Sequence, residues 1–196
     1  VVFVPNLLIG EKAKIKIVKV NKKYAFGIIT QLLEPSINRQ ELTCEVAKTC
    51  GGCQLQHMKY AYQLDYKYKH VKKLFEDIEV KSILGMDSPW YYRNKAQFPV
   101  KIKDGKVQMG FYRQHSNDVV TCKECKIQDF TINKIFGFIQ KHIIIEMAEG
   151  LRHIFIRHSS TDEIQVVFIG KNEKNIFDEA FHPRKKRYAE RADSFI

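Results

Sequence analysis

"CEVAKTCGGCQLQ", residues 44–56, contains three of the five cysteines in this 196-residue chain. Cys44, Cys50 and Cys53 follow one another with the spacing Cys-x5-Cys-x2-Cys. Cysteine thiolates bind iron–sulfur clusters and zinc ions, and both kinds of site usually have four ligands. The two glycines before Cys53 let the backbone approach a bulky inorganic group, which favours a cluster. The stretch therefore predicts a metal-binding loop that takes a further ligand from elsewhere in the chain.

Cys122 and Cys125 are the remaining cysteines, and they form a Cys-x2-Cys pair of their own. In one interpretation, this pair adds a fourth ligand to the three cysteines of the first stretch. In another, Cys50 and Cys53 join both later cysteines in a zinc ribbon. The spacing alone does not choose between these two sites. An odd number of cysteines, three of them clustered, favours a reduced metal site over a disulfide framework.

The charge of the chain points to a polyanionic partner. Lysine and arginine number 33 against 22 acidic residues, which gives a formal net charge of +11. A surplus of this size favours nucleic acid binding. No stretch has the length and apolar character of a membrane span, and no signal-peptide pattern opens the sequence. We therefore expect a cytoplasmic, monomeric protein that binds nucleic acid and not membranes.

Apolar and polar residues alternate through much of the sequence, a pattern that predicts β-strands. Residues 1–43 are predicted to be all-β, with a β-branched run at 15–20, a polar turn at 21–23 and a second strand up to 34. Two hairpins are predicted further on, within 98–112 around Asp104-Gly105 and within 151–170. Apolar residues at steps of three and four predict helices over 60–78 and 129–147. The fold class is therefore mainly β with α (α+β).

Cationic and aromatic residues in the later β segments are candidates for RNA contacts. RNA recognition combines lysine and arginine on phosphates with aromatic stacking on unpaired bases. The motifs "YYRNKAQFPV", "FYRQHS" and "LRHIFIR" carry such residues. The candidate RNA-binding residues are Arg93, Lys95, Gln97, Arg113, His115, Arg152, His153 and Arg157.

These motifs resemble one known family. "CEVAKTCGGCQLQHMKY" with the later "CKIQ" is similar to the iron–sulfur 23S rRNA (uracil-C5)-methyltransferases. The blocks "YYRNKAQFPV", "MGFYRQHSNDVVTCKECKIQ" and "LRHIFIRHSSTDEIQVVF" match further blocks of that family, and residues 2–36 resemble its N-terminal TRAM domain. The resemblance covers roughly residues 1–170 in order.

The resemblance implies a division into domains. Residues 1–43 would form an OB-like TRAM barrel, and 44–53 with 88–170 a β-rich iron–sulfur RNA-binding domain. Residues 54–87 would be a crossover helix that packs on a methyltransferase domain. We expect the Rossmann-like methyltransferase domain itself to be largely absent from these residues, and 171–196 would be a basic tail or a remnant of it.

The resemblance also implies the cofactor and partner. One [4Fe-4S] cluster would be held by Cys44, Cys50, Cys53 and Cys125, which leaves Cys122 as a packing residue. The cluster would be structural and would not perform redox chemistry. The implied partner is 23S ribosomal RNA of the large subunit.

The family reaction requires parts that this sequence does not show. A cysteine adds to C6 of a flipped-out uracil, C5 takes the methyl group of S-adenosylmethionine, and a base removes the C5 proton. No two glycines form a Gly-x-Gly cofactor loop, and no catalytic cysteine is recognisable. We therefore expect that only the full-length enzyme binds S-adenosylmethionine, and that this chain alone does not methylate RNA. The alternatives are a stand-alone, non-catalytic RNA-binding module and a zinc-ribbon nucleic-acid binder.

Overall fold

The structure is a computed structural model, and it describes residues 1–171. The chain divides into two compact units. We call Val1–Trp90 the N-terminal unit and the part that starts at Tyr91 the C-terminal unit. Of the tail predicted at 171–196, all but Lys171 lies outside the described residues.

The N-terminal unit contains a three-stranded sheet. Its strands are β1 (Val2–Phe3), β2 (Lys12–Val20) and β3 (Ala25–Glu34), in the order β1-β3-β2. The two long strands are antiparallel, as the β-branched run and the polar turn predicted, and β1 pairs with β3 in parallel. An OB barrel has five strands. This sheet has three within residues 1–90, so it does not close a barrel by itself.

Helix α1 (Tyr60–Leu74) follows the cysteine-rich stretch. The apolar stripe predicted a longer helix, to residue 78, but the helix ends where Phe75 leaves the helical region (φ −128°, ψ 67°). The chain then returns beside the helix, because the Tyr68 hydroxyl donates to the carbonyl of Val80 and the Tyr60 hydroxyl accepts from the amide of Met86. The helices within residues 1–171 are too short or too polar to span a bilayer.

A five-stranded antiparallel sheet forms the centre of the C-terminal unit. Its strands are β4 (Lys95–Lys103), β5 (Lys106–Tyr112), β6 (Val119–Thr121), β7 (Leu151–His158) and β8 (Ile164–Gly170). Their order is β6-β5-β4-β7-β8. Both predicted hairpins are confirmed. Asp104 and Gly105 have φ values of 51° and 67°, as a two-residue type I′ turn requires.

Helices cover one face of this sheet. One continuous helix was predicted over 129–147, but the structure has α2 (Phe130–His142) and α3 (Ile145–Ala148), separated by extended backbone at Ile143. The three consecutive β-branched isoleucines at 143–145 disfavour a continuous helix at this point. The Phe136 ring stacks on Phe98 at 4.3 Å between centroids, and both residues are fully buried. Phe130, one of the apolar residues whose spacing predicted this helix, is 60% exposed.

The described residues therefore form a mainly β structure with three helices, which confirms the predicted α+β class. Of the alternating apolar residues in the first hairpin, Phe98, Val100 and Met109 are buried, whereas Ile102 is 41% exposed.

Candidate metal centre and RNA-binding surface

Two short extended segments close the cysteine loop, which we define as residues 41–55. The amide of Gln40 donates to the carbonyl of His57 at 2.9 Å, and the amide of Lys59 donates to the carbonyl of Asn38 at 2.9 Å. The Gln40 side-chain amide adds a third bond, to the carbonyl of Gln56. Since both ends of the loop are hydrogen-bonded to each other, its three cysteines are confined to a small region of the N-terminal unit.

An ion pair anchors the base of the cysteine loop to the sheet. Arg39 donates from Nε and Nη2 to the two carboxylate oxygens of Glu11, at 2.5 and 2.6 Å. The amides of Leu8 and Ser36 also donate to this carboxylate, whose side chain is 0% exposed. The Arg39 hydrogen bond, aided by these amides, outweighs burial and lowers the pKa of Glu11 to about 2. Glu11 therefore remains ionised over the whole physiological range and holds the loop base in place.

Inside the loop, the backbone turns tightly around Cys50. The Cys50 amide donates to the carbonyl of Val46 at 2.8 Å. The amide of Gly52 donates to the Cys50 sulfur at 3.3 Å, which is the kind of N–H···S contact that stabilises a thiolate. Burial raises the pKa of Cys50, the Gly52 amide opposes this shift, and nearby Cys44 adds to it. Metal binding would relieve the cost of a buried thiolate, since the metal supplies positive charge.

Asn133, in the first half of α2, fixes the backbone of Cys125. Its side-chain oxygen accepts from the amide of Cys125 at 2.8 Å, and its nitrogen donates to the carbonyls of Cys125 and Gln128 at 3.0 and 2.9 Å. Tyr91 and Arg93 run beside this segment, and their amides donate to the carbonyls of Lys126 and Ile127. The fourth predicted ligand is therefore held by both a helix and a strand-like pairing within the C-terminal unit.

Cys122 has a different environment. It is 5% exposed in the core of the C-terminal unit, and its carbonyl accepts from the side-chain amide of Gln140 at 3.2 Å. The other four cysteines, including Cys125, are partly exposed, and none of the five is in a disulfide. A buried cysteine of this kind commonly acts as a small packing residue.

Among residues 1–171, no three His, Cys, Asp or Glu side chains are arranged so that they could hold a metal ion. The donor set nevertheless fits a thiolate-bound group in its chemistry. The cysteines are unbridged, a backbone amide points at the sulfur of Cys50, and Gly51 and Gly52 are exposed. The side chains of Gln56 and His57, which follow the loop, each have a buried polar atom without a hydrogen-bond partner in the described residues.

Strands β4 and β7 bring three of the candidate RNA-binding residues together. Lys95 lies opposite Arg157, and Gln97 lies opposite Phe155, in adjacent antiparallel strands. Lys95, Gln97 and Arg157 are all exposed. They form a polar, cationic strip on the sheet face that α2 and α3 do not cover.

The other candidates occupy turns and irregular backbone. Arg113 and His115 lie in the turn after β5, where the amide of Arg113 donates to the carbonyl of Asp118 and His115 has a φ of 56°. Arg152 lies at a bulge in the pairing of β7 with β8. Arg93 precedes β4, and its backbone pairs with Gln128. All four side chains are exposed, but these contacts do not place them in one cluster.

Two aromatic residues of this surface were not among the predicted contacts. The Tyr112 hydroxyl and Nε2 of His153 are 2.8 Å apart, and the Phe155 ring lies next to both Lys95 and Arg157. Their exposure follows from the register of β4 with its neighbours. The sequence shows that side chains alternate between the two faces in "FIRH". It does not show that Gln97 of β4 pairs with Phe155 of β7.

Comparison with known proteins agrees with the resemblance. Residues 1–30 match the TRAM domain family. A Clostridium tetani protein named as an uncharacterized RNA methyltransferase is 39% identical over 188 residues, which are 88% of this chain and 41% of that protein.

Two further relatives carry the same description. One, from Bacillus cereus, is 40% identical over 199 residues, or 91% of this chain and 43% of the relative. The other, from Halalkalibacterium halodurans, is 38% identical over 211 residues, or 99% and 44%. The chain thus spans less than half the length of these curated relatives.

Proposed function

We propose, from the premise that this chain belongs to the RNA methyltransferase family of these relatives, that it is the RNA-recognition part of an S-adenosylmethionine-dependent uracil-C5 methyltransferase. The proposed substrate is 23S ribosomal RNA, in which the full-length enzyme forms 5-methyluridine, and the proposed state is a monomer. The observation that carries RNA recognition is the exposed cationic strip of Lys95 and Arg157 on paired strands. The net charge of +11 adds long-range attraction for a polyanion.

RNA binding by the full chain tests this proposal directly. We expect a labelled 23S rRNA fragment to bind with an affinity that falls as salt rises, because binding releases counterions from phosphates. Fluorescence anisotropy over a range of salt concentrations measures this dependence. Transfer RNA and duplex DNA of matched length serve as competitors. Failure of rRNA to bind, or equal binding of duplex DNA, would contradict an rRNA-recognition role.

The proposed cofactor is one [4Fe-4S] cluster with Cys44, Cys50, Cys53 and Cys125 as ligands. Bound there, the cluster would cross-link its four thiolates and act structurally. The contacts that support this assignment are the closed loop base, the Gly52 amide at the Cys50 sulfur and the Asn133 bonds that fix Cys125. The competing site is a zinc ribbon of Cys50, Cys53, Cys122 and Cys125.

Cys44 and Cys122 distinguish these two sites, since each belongs to only one of them. We expect Cys44→Ala to abolish iron and sulfide incorporation in anaerobically purified protein, and Cys122→Ala to leave both at the wild-type ratio. Metal and sulfide analysis with the visible absorption spectrum measures this outcome. Stoichiometric zinc without sulfide, lost on Cys122→Ala and kept on Cys44→Ala, would replace the cluster with the ribbon.

Hydrogen exchange gives the same test a second readout. Ligands that bind only the native state raise its stability. Loading with iron and sulfide should therefore slow exchange of the amides at 38–59, around the cysteine loop. The Cys44→Ala chain should show no such change under the same treatment.

The exposed side of α1 supports the proposal that this helix packs on a methyltransferase domain in the full-length protein. The helix has no buried residue, and the turn beyond it leaves large apolar side chains exposed. Leu74 is 65% exposed and Ile78 is 63% exposed. Removing such side chains from water is favourable by roughly 1.5–3 kcal/mol each when burial is complete.

The residues of this chain do not match the S-adenosylmethionine site that such an enzyme requires. Its sequence has no Gly-x-Gly arrangement, and Cys122, outside the proposed ligand set, is buried. We therefore expect no methyl transfer from radiolabelled S-adenosylmethionine to a uridine-containing rRNA fragment by this chain. Detectable 5-methyluridine would overturn the assignment of the chain as the recognition part alone.

A further inference from the structure

The open face of the five-stranded sheet carries aromatic side chains beside the cationic strip, and the proposed function gives these aromatic side chains no role. Phe98, Ile154 and Ile156 point into the core beneath α2 and α3, and all three are fully buried. Residues at the alternate positions of the same strands therefore lie on the opposite face. Within residues 91–171, neither α2 nor α3 covers this face, because both pack on the core side.

Phe155 is the centre of the cluster. Nζ of Lys95 lies 5.6 Å from the centroid of the Phe155 ring, and Cζ of Arg157 lies 5.7 Å from it. Both distances are typical of a cation next to an aromatic face. The ring thus lies on a strand next to two positive charges, which the register places opposite each other.

A second aromatic pair reaches across β4. The Tyr112 hydroxyl on β5 lies 2.8 Å from Nε2 of His153 on β7, and the two rings meet edge to face at 6.0 Å. Burial, with a contribution from Arg152, lowers the pKa of His153. The lowered pKa favours the uncharged imidazole, and the hydrogen bond to Tyr112 positions both rings.

The charge on this face selects the kind of partner. The register places on it Lys95, Gln97, Lys101, Lys103, Lys106, Gln108, His153, Arg157 and Gln165. None of the residues that the register assigns to this face of β4, β5, β7 and β8 is Asp or Glu. Phosphates complement such a surface. Aromatic rings next to cations suit exposed bases, which single-stranded RNA offers and a duplex hides within its stack.

We propose that this face binds unpaired RNA nucleotides, with one base stacked at Phe155 and a neighbouring base against the Tyr112–His153 pair. Lys95 and Arg157 hold the flanking phosphates. The inference deepens the proposed function and rests on it, since it specifies the kind of RNA that the chain recognises and the residues that select it.

Substitution of Phe155 separates stacking from charge. We expect Phe155→Leu in the full chain to weaken binding of a short single-stranded RNA of mixed sequence about ten-fold. Binding of the same RNA annealed to its complement should change less than two-fold. Phe138→Leu is the matched control, since Phe138 is a partly exposed aromatic on α2, and it should leave both affinities unchanged. Fluorescence anisotropy measures all of these affinities.

The flanking cations should affect the salt dependence of binding. Lys95→Gln and Arg157→Gln should each reduce the slope of log affinity against log salt by about one. Lys141→Gln on α2 is the control and should leave the slope unchanged. Phe155→Leu should lower affinity without changing the slope, because it removes no charge.

The hydroxyl of Tyr112 permits a finer test. Tyr112→Phe keeps the ring and removes its hydrogen bond to His153, so we expect about a three-fold loss of single-strand affinity, equivalent to roughly 0.6 kcal/mol, the low end for one hydrogen bond. Circular dichroism and hydrogen exchange should show unchanged strands in every variant, since the altered side chains are partly or fully exposed.

The outcomes separate this inference from the proposed function. Wild-type chain that binds no RNA overturns both. Wild-type chain that binds rRNA, with Phe155→Leu equal to wild type or equally weakened on single strand and duplex, overturns only the stacking inference. In that case a protein partner becomes the alternative occupant of the face.

Discussion

The two units contrast in what holds them together. In the C-terminal unit, a five-stranded sheet packs against helices through large side chains that are excluded from water, among them Phe98, Met109, Ile132 and Phe136. Within the N-terminal unit, Leu8 and Met58 are the only apolar side chains that are buried. Its strands instead leave apolar residues exposed, and a polar node of Glu11 and Arg39 ties its loops to the sheet.

This difference indicates how stability is distributed along the chain. Each large apolar side chain that is fully buried contributes roughly 1.5–3 kcal/mol, whereas one hydrogen bond contributes about 1 kcal/mol. We therefore expect the C-terminal unit to be the more resistant to opening. The three clustered cysteines lie in the weaker unit, which is where a bound cluster would add most to stability.

The largest expected effect is a loss of stability in the C-terminal unit. Phe136→Ala removes a fully buried ring that stacks on Phe98, and should destabilise the C-terminal unit by about 4 kcal/mol through lost burial and a cavity. Native-state hydrogen exchange of the amides in α2 and β7 measures this loss unit by unit. Amides of β2 and β3 report on the other unit in the same experiment.

Phe138 provides the matched control on the same helix. It is 38% exposed, so Phe138→Ala should reduce stability by less than about 1.5 kcal/mol. Equal losses from the two alanine variants would show that the ring stack at Phe136 is not the centre of this core. The contrast between the units would then lose its main support.

Local patterns in the sequence predicted the hairpins because short-range chemistry determines them. Asp104-Gly105 accepts the left-handed backbone that a two-residue turn needs, and alternation identifies Phe98 and Val100 as inward-facing. Helix ends were predicted less well. The apolar stripe of α1 continues to Ile78, but periodicity does not reveal whether anything covers it, and the helix ends at Leu74.

The candidate site was only partly visible in the sequence, for a similar reason. Cysteine spacing is local and marks the loop, whereas its closure depends on Arg39 meeting Glu11, which is 28 positions earlier. The cluster at Phe155 likewise depends on the pairing of β4 with β7. Such partners are set by tertiary structure, so a single sequence gives no period or motif that identifies them.

The next largest effect concerns the polar node of Glu11 and Arg39. Arg39→Met leaves the Glu11 carboxylate buried without its ionic partner, and should destabilise the N-terminal unit by about 3 kcal/mol. Lys12→Met is the control, because Lys12 pairs with Glu34 in the same unit, but both side chains are more than 60% exposed. An exposed pair contributes at most about 1 kcal/mol.

The same node predicts a dependence on pH. Glu11 has its pKa lowered from 4.5 to about 2, so its contribution is fully present above pH 4.5. As pH falls from about 4.5 towards 2, the native carboxylate binds fewer protons than the unfolded one, and stability is lost. Protection factors of the amides at 38–40 and 56–59, which correct for the slower intrinsic exchange in acid, should fall over that range in wild type. A flat profile, or equal losses from Arg39→Met and Lys12→Met, would exclude the ion pair as the element that holds the loop base.

The smallest expected effect concerns one helix end in the stronger unit. Asp129 caps α2, where its carboxylate accepts from the amide of Thr131 at 2.8 Å and lies 2.9 Å from Nδ1 of His158. Asp129→Ala should destabilise this unit by about 1 kcal/mol. Asp162→Asn is the control, because Asp162 also contacts His158 but is 90% exposed, and asparagine tolerates its left-handed backbone (φ 60°), so the change should cost almost nothing.

Acid should remove the contribution of the Asp129 cap. Burial would raise the pKa of Asp129, but the Thr131 amide and His158 outweigh it and lower the pKa below 3.8. The stabilisation is therefore present above about pH 4 and decreases as pH falls below that value. Protection factors of the amides in the first turn of α2 should fall with pH over this range in wild type. The same protection factors should not depend on pH in this way in Asp129→Ala. Because the core beneath the helix remains intact, the loss should stay confined to that turn, in contrast with the unit-wide effect of Phe136→Ala.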